Sequence, residues 1–267
     1  VSRVGPGAPS QRARVLAVAR ILDVLESERP GITAASLLQK GTCAVSQEEG
    51  PSTALLKRLQ QEDSFENETF EGLDLQGIHL VDKEFYRCTF VNCELQQGRW
   101  KDTLLESCVF QGCNLTRANV IALRLRDVRF EGSKLMGIDW TGVASNPEVA
   151  FEDCGMPYSS FVGLSLHKTA FVRCVVREAN FFDMDLTDAD FTGADLAGSN
   201  FRGCTLTRTD FSGATGLLLD PARNKLKDTR IPSETAMSVV HALGMLVEGY
   251  HAKPAGRGGG KKAGTKR

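Results

Sequence analysis

Apolar side chains recur at every fifth position along most of this chain. The series begins Phe65, Phe70, Leu75, Leu80, Phe85, Phe90, Leu95, Trp100 and runs without exception to Trp140. After one inserted residue it resumes at Phe151 and continues through Met156, Phe161 and Leu166 to Phe211. All 29 of these positions are apolar, and 13 of the 14 phenylalanines fall on them, Phe182 being the exception. A helix repeats every 3.6 residues and a strand every 2, so neither produces a strict five. The chain must turn a corner once per five residues.

Two further positions keep the same phase. Two residues before the central apolar residue stand Cys88, Cys93, Cys108, Cys113, Cys154, Cys174 and Cys204, together with Ala118, Ala179, Ala189, Ala194, Ser133, Ser159 and Ser199. Two residues after it stand Gly72, Gly77, Gly112, Gly132, Gly137, Gly142, Gly163, Gly193, Gly198, Gly203 and Gly213, where a tight turn needs a residue that tolerates positive φ. A large inward residue, a small inward residue and a permissive corner define each side. Four sides close a square coil, and such coils stack as parallel ladders about 4.8 Å apart. Roughly seven coils then give a rod about 35 Å long.

Segments such as Ala189-Asp190-Phe191-Thr192-Gly193, Ala194-Asp195-Leu196-Ala197-Gly198 and Ser199-Asn200-Phe201-Arg202-Gly203 resemble the pentapeptide repeat family. The resemblance implies an all-β solenoid, a right-handed quadrilateral parallel β-helix, with a small N-terminal helical region and a C-terminal helix. The expected divisions are an N-terminal helical region of unassigned role (1–62), the β-helix (63–215), a capping or dimerisation segment (216–250) and a basic tail (251–267). Three helices are expected before the repeats: Arg12 to Ser27, Ile32 to Gln39 and Ser52 to Gln61. The first repeats are irregular, because their small slot holds Asp63, Glu68, Leu73, Ile78 and Lys83. They read as a cap. The step from Trp140 to Phe151 exceeds two units by one residue, so Thr141 to Ala150 reads as a bulge rather than a long loop.

Composition narrows the function. Lys and Arg number 32 against 33 Asp and Glu, but the balance is uneven along the chain: residues 65–211 carry 14 basic and 22 acidic side chains, and residues 212–267 carry 10 and 4. No apolar run approaches the roughly 20 residues of a membrane span, and no secretory signal layout appears, so the expected compartment is the cytoplasm. The cysteines sit at the repeat spacing and read as small buried residues rather than zinc ligands or disulfides. His79, His167, His241 and His251 join no nucleophile system. The glycine-rich run at 256–262 lacks the order of a phosphate loop. The expectation is a non-enzymatic protein with no cofactor and no metal.

The acidic residues carry the functional reading. Glu178, Asp183, Asp185, Asp188, Asp190, Asp195 and Asp210 take outward slots, with only Arg202 and Arg208 among them between 178 and 211. A slim rod with regular carboxylates has the electrostatic outline of duplex DNA; the plainer alternative is that they keep the rod soluble. Beyond the repeats, Ile231-Pro232-Ser233-Glu234 reads as a helix start capped by Ser233, with Gly244 ending the helix. This closing block resembles that of the pentapeptide repeat proteins that protect DNA gyrase from quinolones and related topoisomerase poisons. The resemblance implies a homodimer joined end to end through Met237, Val240, Leu243, Met245 and Leu246, a type II topoisomerase as partner, and no direct contact with nucleic acid. Two joined rods would span about 70 Å, or roughly 20 base pairs. The alternative function is a protein-interaction scaffold or adaptor with no topoisomerase role.

Overall fold

In the computed structural model, residues 51–248 are described. The expected helices Arg12 to Ser27 and Ile32 to Gln39, together with His251 and the run at 256–262, lie outside them. Helix α1, Pro51–Gln61, leads into a parallel β-helix with four sides. Every ladder step on the regular coils is 20 residues: Phe65 pairs with Phe85, Phe70 with Phe90, and Leu80 with Trp100. The single extra residue before Phe151 makes one step 21, with Phe130 opposite Phe151. Ladder pairing continues beyond Thr215, since Thr205 pairs with Lys225 and Asp210 with Arg230.

All 29 residues of the five-residue series are buried, as are the in-phase cysteines, alanines and serines. The rings stack because identical positions on successive coils face the same way. On the second side Phe70, Phe90, Phe110, Phe130, Phe151, Phe171, Phe191 and Phe211 form an unbroken column with centroid spacings from 4.5 to 5.4 Å. The fourth side adds Trp140, Phe161, Phe181 and Phe201, stacked at 4.7 to 5.7 Å and edge-on to the first column. Edge-to-face and offset-stacked pairs add to the burial itself.

The small slot does more than leave room. Cys93, Cys108, Cys113, Cys154 and Cys204 each donate S–H to the carbonyl of a central phenylalanine on the preceding coil, at 3.1 to 3.4 Å. Thr103, Ser133, Ser159 and Thr209 do the same to central carbonyls with their hydroxyls. Those carbonyls lie inside the shaft away from water, where an unmet acceptor is costly. Burial pushes the Cys204 thiol above its ordinary range, which keeps the proton it donates.

Corners take φ near +50 to +76° whether or not they hold glycine, as at Asn67, Arg87, Asp102 and Asp183. Gly142 corrects the expectation for its slot. It is absent from the positive-φ corners, lies at the end of a 3₁₀ turn over Trp140–Gly142, and is confined because an added Cβ would sit 1.9 Å from the Val120 carbonyl oxygen.

The irregular first coil is closed by ion pairs and by α1. Leu59 is buried in the core and Leu55 and Leu56 pack against it. Lys83, almost wholly buried, donates to the Glu62 carbonyl at 2.5 Å and to Asp63 at 2.9 Å. Arg58 bridges Glu62 and Glu68. At the other end, helix α2 spans Ser233–Ala242. Its N-cap is Pro232 without a side-chain cap bond, so Ser233 opens the helix rather than capping it. Buried Thr235 ties it to the rod through the Leu217 carbonyl at 3.2 Å, and Gly244 at φ 78° follows it.

Candidate partner-binding surface

The seven carboxylates singled out from the sequence do not share one side. Asp185 lies in the column Ser165–Asp185–Thr205, Asp190 and Asp210 stack in the column that begins at Ala170, and Asp195 lies between Val175 and Thr215. Glu178, Asp183 and Asp188 occupy corners at φ 52 to 58°. A five-residue spacing moves each acid to the next side, so only Asp190 and Asp210 are brought together by the ladder.

Three of the seven are also answered by arginine. Arg208 grips Asp188 with bonds of 2.6 and 2.7 Å, Arg177 donates to Asp195 at 2.7 Å, and Arg230 reaches Asp210 at 3.2 Å. The arginines hold the Asp188 and Asp195 carboxyls below the ordinary carboxylate value. For Asp210 the larger cause is its hydrogen bond from Ser212, with Arg230 adding to it. Arg177 and Arg230 fall outside the 178–211 window, so the local charge count missed them; ladder partners lie about one coil away in sequence. Asp185 instead accepts from Thr187, and Asp190 from the Thr192 N–H. Among the described residues Glu178 meets only the Tyr158 hydroxyl, at 3.3 Å.

The charge is therefore banded along the rod. Residues 183–202 hold five carboxylates against Arg202, whereas 163–182 hold Lys168, Arg173 and Arg177 against Glu178. A second acidic band, not singled out from the sequence, lies on the first coil: Glu71, Asp74 and Asp82 join no salt bridge there among the described residues, while Glu66 is bound by Arg87. Glutamates and aspartates at outward slots of the irregular repeats were the available signal.

At the C-terminal end, Leu243, Met245 and Leu246 are exposed, Leu246 at 92%, and Met237 and Val240 are half-buried on α2. Val239, one residue away, packs against the core. Among the described residues no helix is long and apolar enough to cross a membrane, and no group of three or more His, Cys, Asp or Glu is placed to hold a metal.

Family models fit the same coils. One, described as a pentapeptide repeat region, matches residues 83–147, and a second, pentapeptide repeats in eight copies, matches 185–215. Those two stretches are pentapeptide repeats. Solved structures similar to it include trypsin-treated QnrB1, a plasmid-mediated fluoroquinolone resistance protein, which aligns over 69% of this chain and 99% of its own at 18% identity and a TM-score of 0.38. HetL, a pentapeptide repeat protein involved in heterocyst differentiation regulation from Nostoc sp. strain PCC 7120, aligns over 66% and 92% at 17% identity and 0.27. Rfr23 from Cyanothece 51142 aligns over 67% and 99% at 18% and 0.25. Nothing about the partners of this chain follows from likenesses this distant. No curated protein matches the chain.

Proposed function

We propose that this pentapeptide repeat protein is a non-enzymatic, protein-binding rod that mimics DNA, acts in the cytoplasm, and engages a type II topoisomerase, DNA gyrase, altering its response to topoisomerase poisons. The observation that carries this reading is the acidic band at 183–202, where Asp183, Asp185 and Asp190 have no arginine partner among the described residues, on a scaffold fixed by stacked rings. A basic DNA groove would meet those carboxylates at little cost in ordering. The exposed Leu243, Met245 and Leu246 beside Met237 and Val240 support end-to-end pairing of two rods, which would place two such bands on one particle.

The test is a supercoiling assay with purified gyrase, with and without a poison. Inhibition or protection is expected, weakened by replacing Asp183, Asp185 and Asp190 with Asn and most visibly at low salt. The same replacement at Asp188 and Asp195, already paired, should do less. Absence of any effect across a wide concentration range removes the topoisomerase from the account. One observation favours a second reading, a scaffold or adaptor for other proteins: the acids are spread over three sides and their corners, and the acidic band adjoins the cationic coil of 163–182, a pattern that suits several partners as well as one groove.

A further inference from the structure

Three of the four sides of the rod carry their main-chain ladder into the closing turn, and one does not. On the third, first and second sides the Leu196, Leu206 and Phe211 N–H groups donate to the Thr215, Lys225 and Arg230 carbonyls at 2.8 to 2.9 Å, and the N–H groups of those three residues donate back to Ala194, Cys204 and Thr209. The same step on the fourth side would take the Phe201 N–H to the Asp220 carbonyl. Among the described residues that N–H has no acceptor, and the Ser199 carbonyl, the counterpart of Ala194, accepts from no donor.

The cause is local. The Asp220 carbonyl is taken by the Arg223 N–H at 3.2 Å and by Asn224 Nδ2 at 3.0 Å, and its carboxylate by the Ala222 N–H at 2.9 Å. Pro221, the counterpart of Phe201, has no N–H to give. The chain therefore turns on itself instead of running in bond with Asn200–Arg202, and a groove of about 690 Å³ is left between that strand, residues 218–220 and α2. Its size is that of a small-molecule site. Phe182, the one phenylalanine outside the five-residue series, lines it half-buried, from an outward row between Val162 and Arg202. Leu218, 62% exposed, lines it from the closing turn. Helix α2 contributes Ser238 and Ala242, one turn apart and both small. The charged lining is Arg202, Arg223 and Asp220. Arg223 and Asp220 pair with each other at 3.1 Å, which leaves Arg202 as the cation with no salt bridge among the described residues. The Asp183 carboxylate stands over the next corner, at Gly203, outside the lining.

We propose that this groove binds a small amphipathic carboxylate that bears an N–H or O–H next to its acid group. The anionic end accepts from the Phe201 N–H and from Arg202, where a charged hydrogen bond is stronger than a neutral one. The neighbouring N–H or O–H donates to the Ser199 carbonyl, an acceptor that is costly to leave unmet. The apolar body lies over Phe182 and Leu218. An aromatic ring, an amide-sized gap in the ladder and one unanswered guanidinium are thus used by a single ligand. The site requires neither a topoisomerase nor the pairing of two rods.

The probe is N-dansyl-leucine, which carries a carboxylate, an adjacent sulfonamide N–H and an apolar fluorescent body. Added to the full-length protein, it should give a saturable rise in fluorescence at one site per chain and slow amide exchange at Phe201. Its methyl ester keeps the N–H and the rings but not the charge, and should bind about tenfold or more weakly. Arg202→Gln should weaken the acid severalfold, flatten its salt dependence and leave the ester unchanged. Phe182→Ser should weaken acid and ester alike, and Leu246→Ser, at the exposed apolar end, should change neither. Equal affinity for acid and ester, unchanged exchange at Phe201 under saturation, loss of binding in Leu246→Ser, or no saturable binding into the millimolar range would each overturn the proposal.

Discussion

Three glycine-to-alanine substitutions separate the two reasons a corner can demand glycine. At Gly155 the φ is ordinary and an added Cβ meets nothing within 4 Å, so Gly155→Ala should be neutral or stabilising by up to about 1 kcal/mol through the unfolded chain. At Gly163 the space is equally open but φ is +68°, and alanine there should cost about 1–2 kcal/mol. At Gly142 the new Cβ would lie 1.9 Å from the Val120 oxygen and 2.8 Å from its carbon. Both are backbone atoms of a strand held in the ladder between Trp100 and the turn, so relief requires moving a coil rather than a side chain. Overpacking of this kind costs about 3 kcal/mol or more. Urea denaturation followed by circular dichroism and by tryptophan fluorescence gives the comparison, with Trp140 inside the same turn as Gly142. Stacked repeats can unfold in parts, and the two probes reveal it. Equal costs for Gly142→Ala and Gly163→Ala would refute the argument, because backbone dihedral and not coil contact would then set the price.

Two other outcomes follow from the packing and the ion pairs. Phe171, stacked between Phe151 at 5.1 Å and Phe191 at 4.6 Å, should cost about 3–5 kcal/mol when changed to Ala; Phe65→Ala, with a stacked ring on one side only, at 5.0 Å, should cost less, as calorimetry can check. Asp153 and Asp188 are held below the ordinary value of 3.8 by Arg173 and Arg208, so their pairs contribute stability above that pH and lose it as pH falls through the lowered value. The melting-temperature difference between the native chain and Arg208→Asn should therefore shrink below about pH 4; a constant difference would deny the pair its role.

Much of the fold was legible because one period governs it. The 29 central residues and the small slot needed only counting, since a side chain that recurs every five residues has one place to go. What was not legible depends on partners a coil away. The Cys93 thiol looks like filler until its reach to the Phe70 carbonyl is seen, 23 residues back. Gly142 resembles its neighbours because the repeat predicts a corner, and only the 3₁₀ turn over Trp140–Gly142 and the nearby Val120 carbonyl reveal that contact confines it. Arg177 and Arg230 lay outside the local window, so the charge on Asp195 and Asp210 was read as unanswered.

That last point bears on mimicry itself. Coils are about 4.8 Å apart and the screening length in physiological salt is about 8 Å, so a cation on the next coil cancels an acid before its field leaves the surface. What a partner senses at a distance is the net charge of successive coils, and here that charge is uneven, from +2 over residues 163–182 to −4 over residues 183–202. Duplex DNA offers unbroken negative charge; this rod offers an acidic band at 183–202 behind the cations of 163–182, and another on its first coil. A groove built for DNA would seat one band and leave the cationic coils at its margin. The unpaired carboxylates Asp183, Asp185 and Asp190 thus matter more than the total of 22 acids across the repeats, and moving an arginine by one coil should change affinity as much as removing an aspartate.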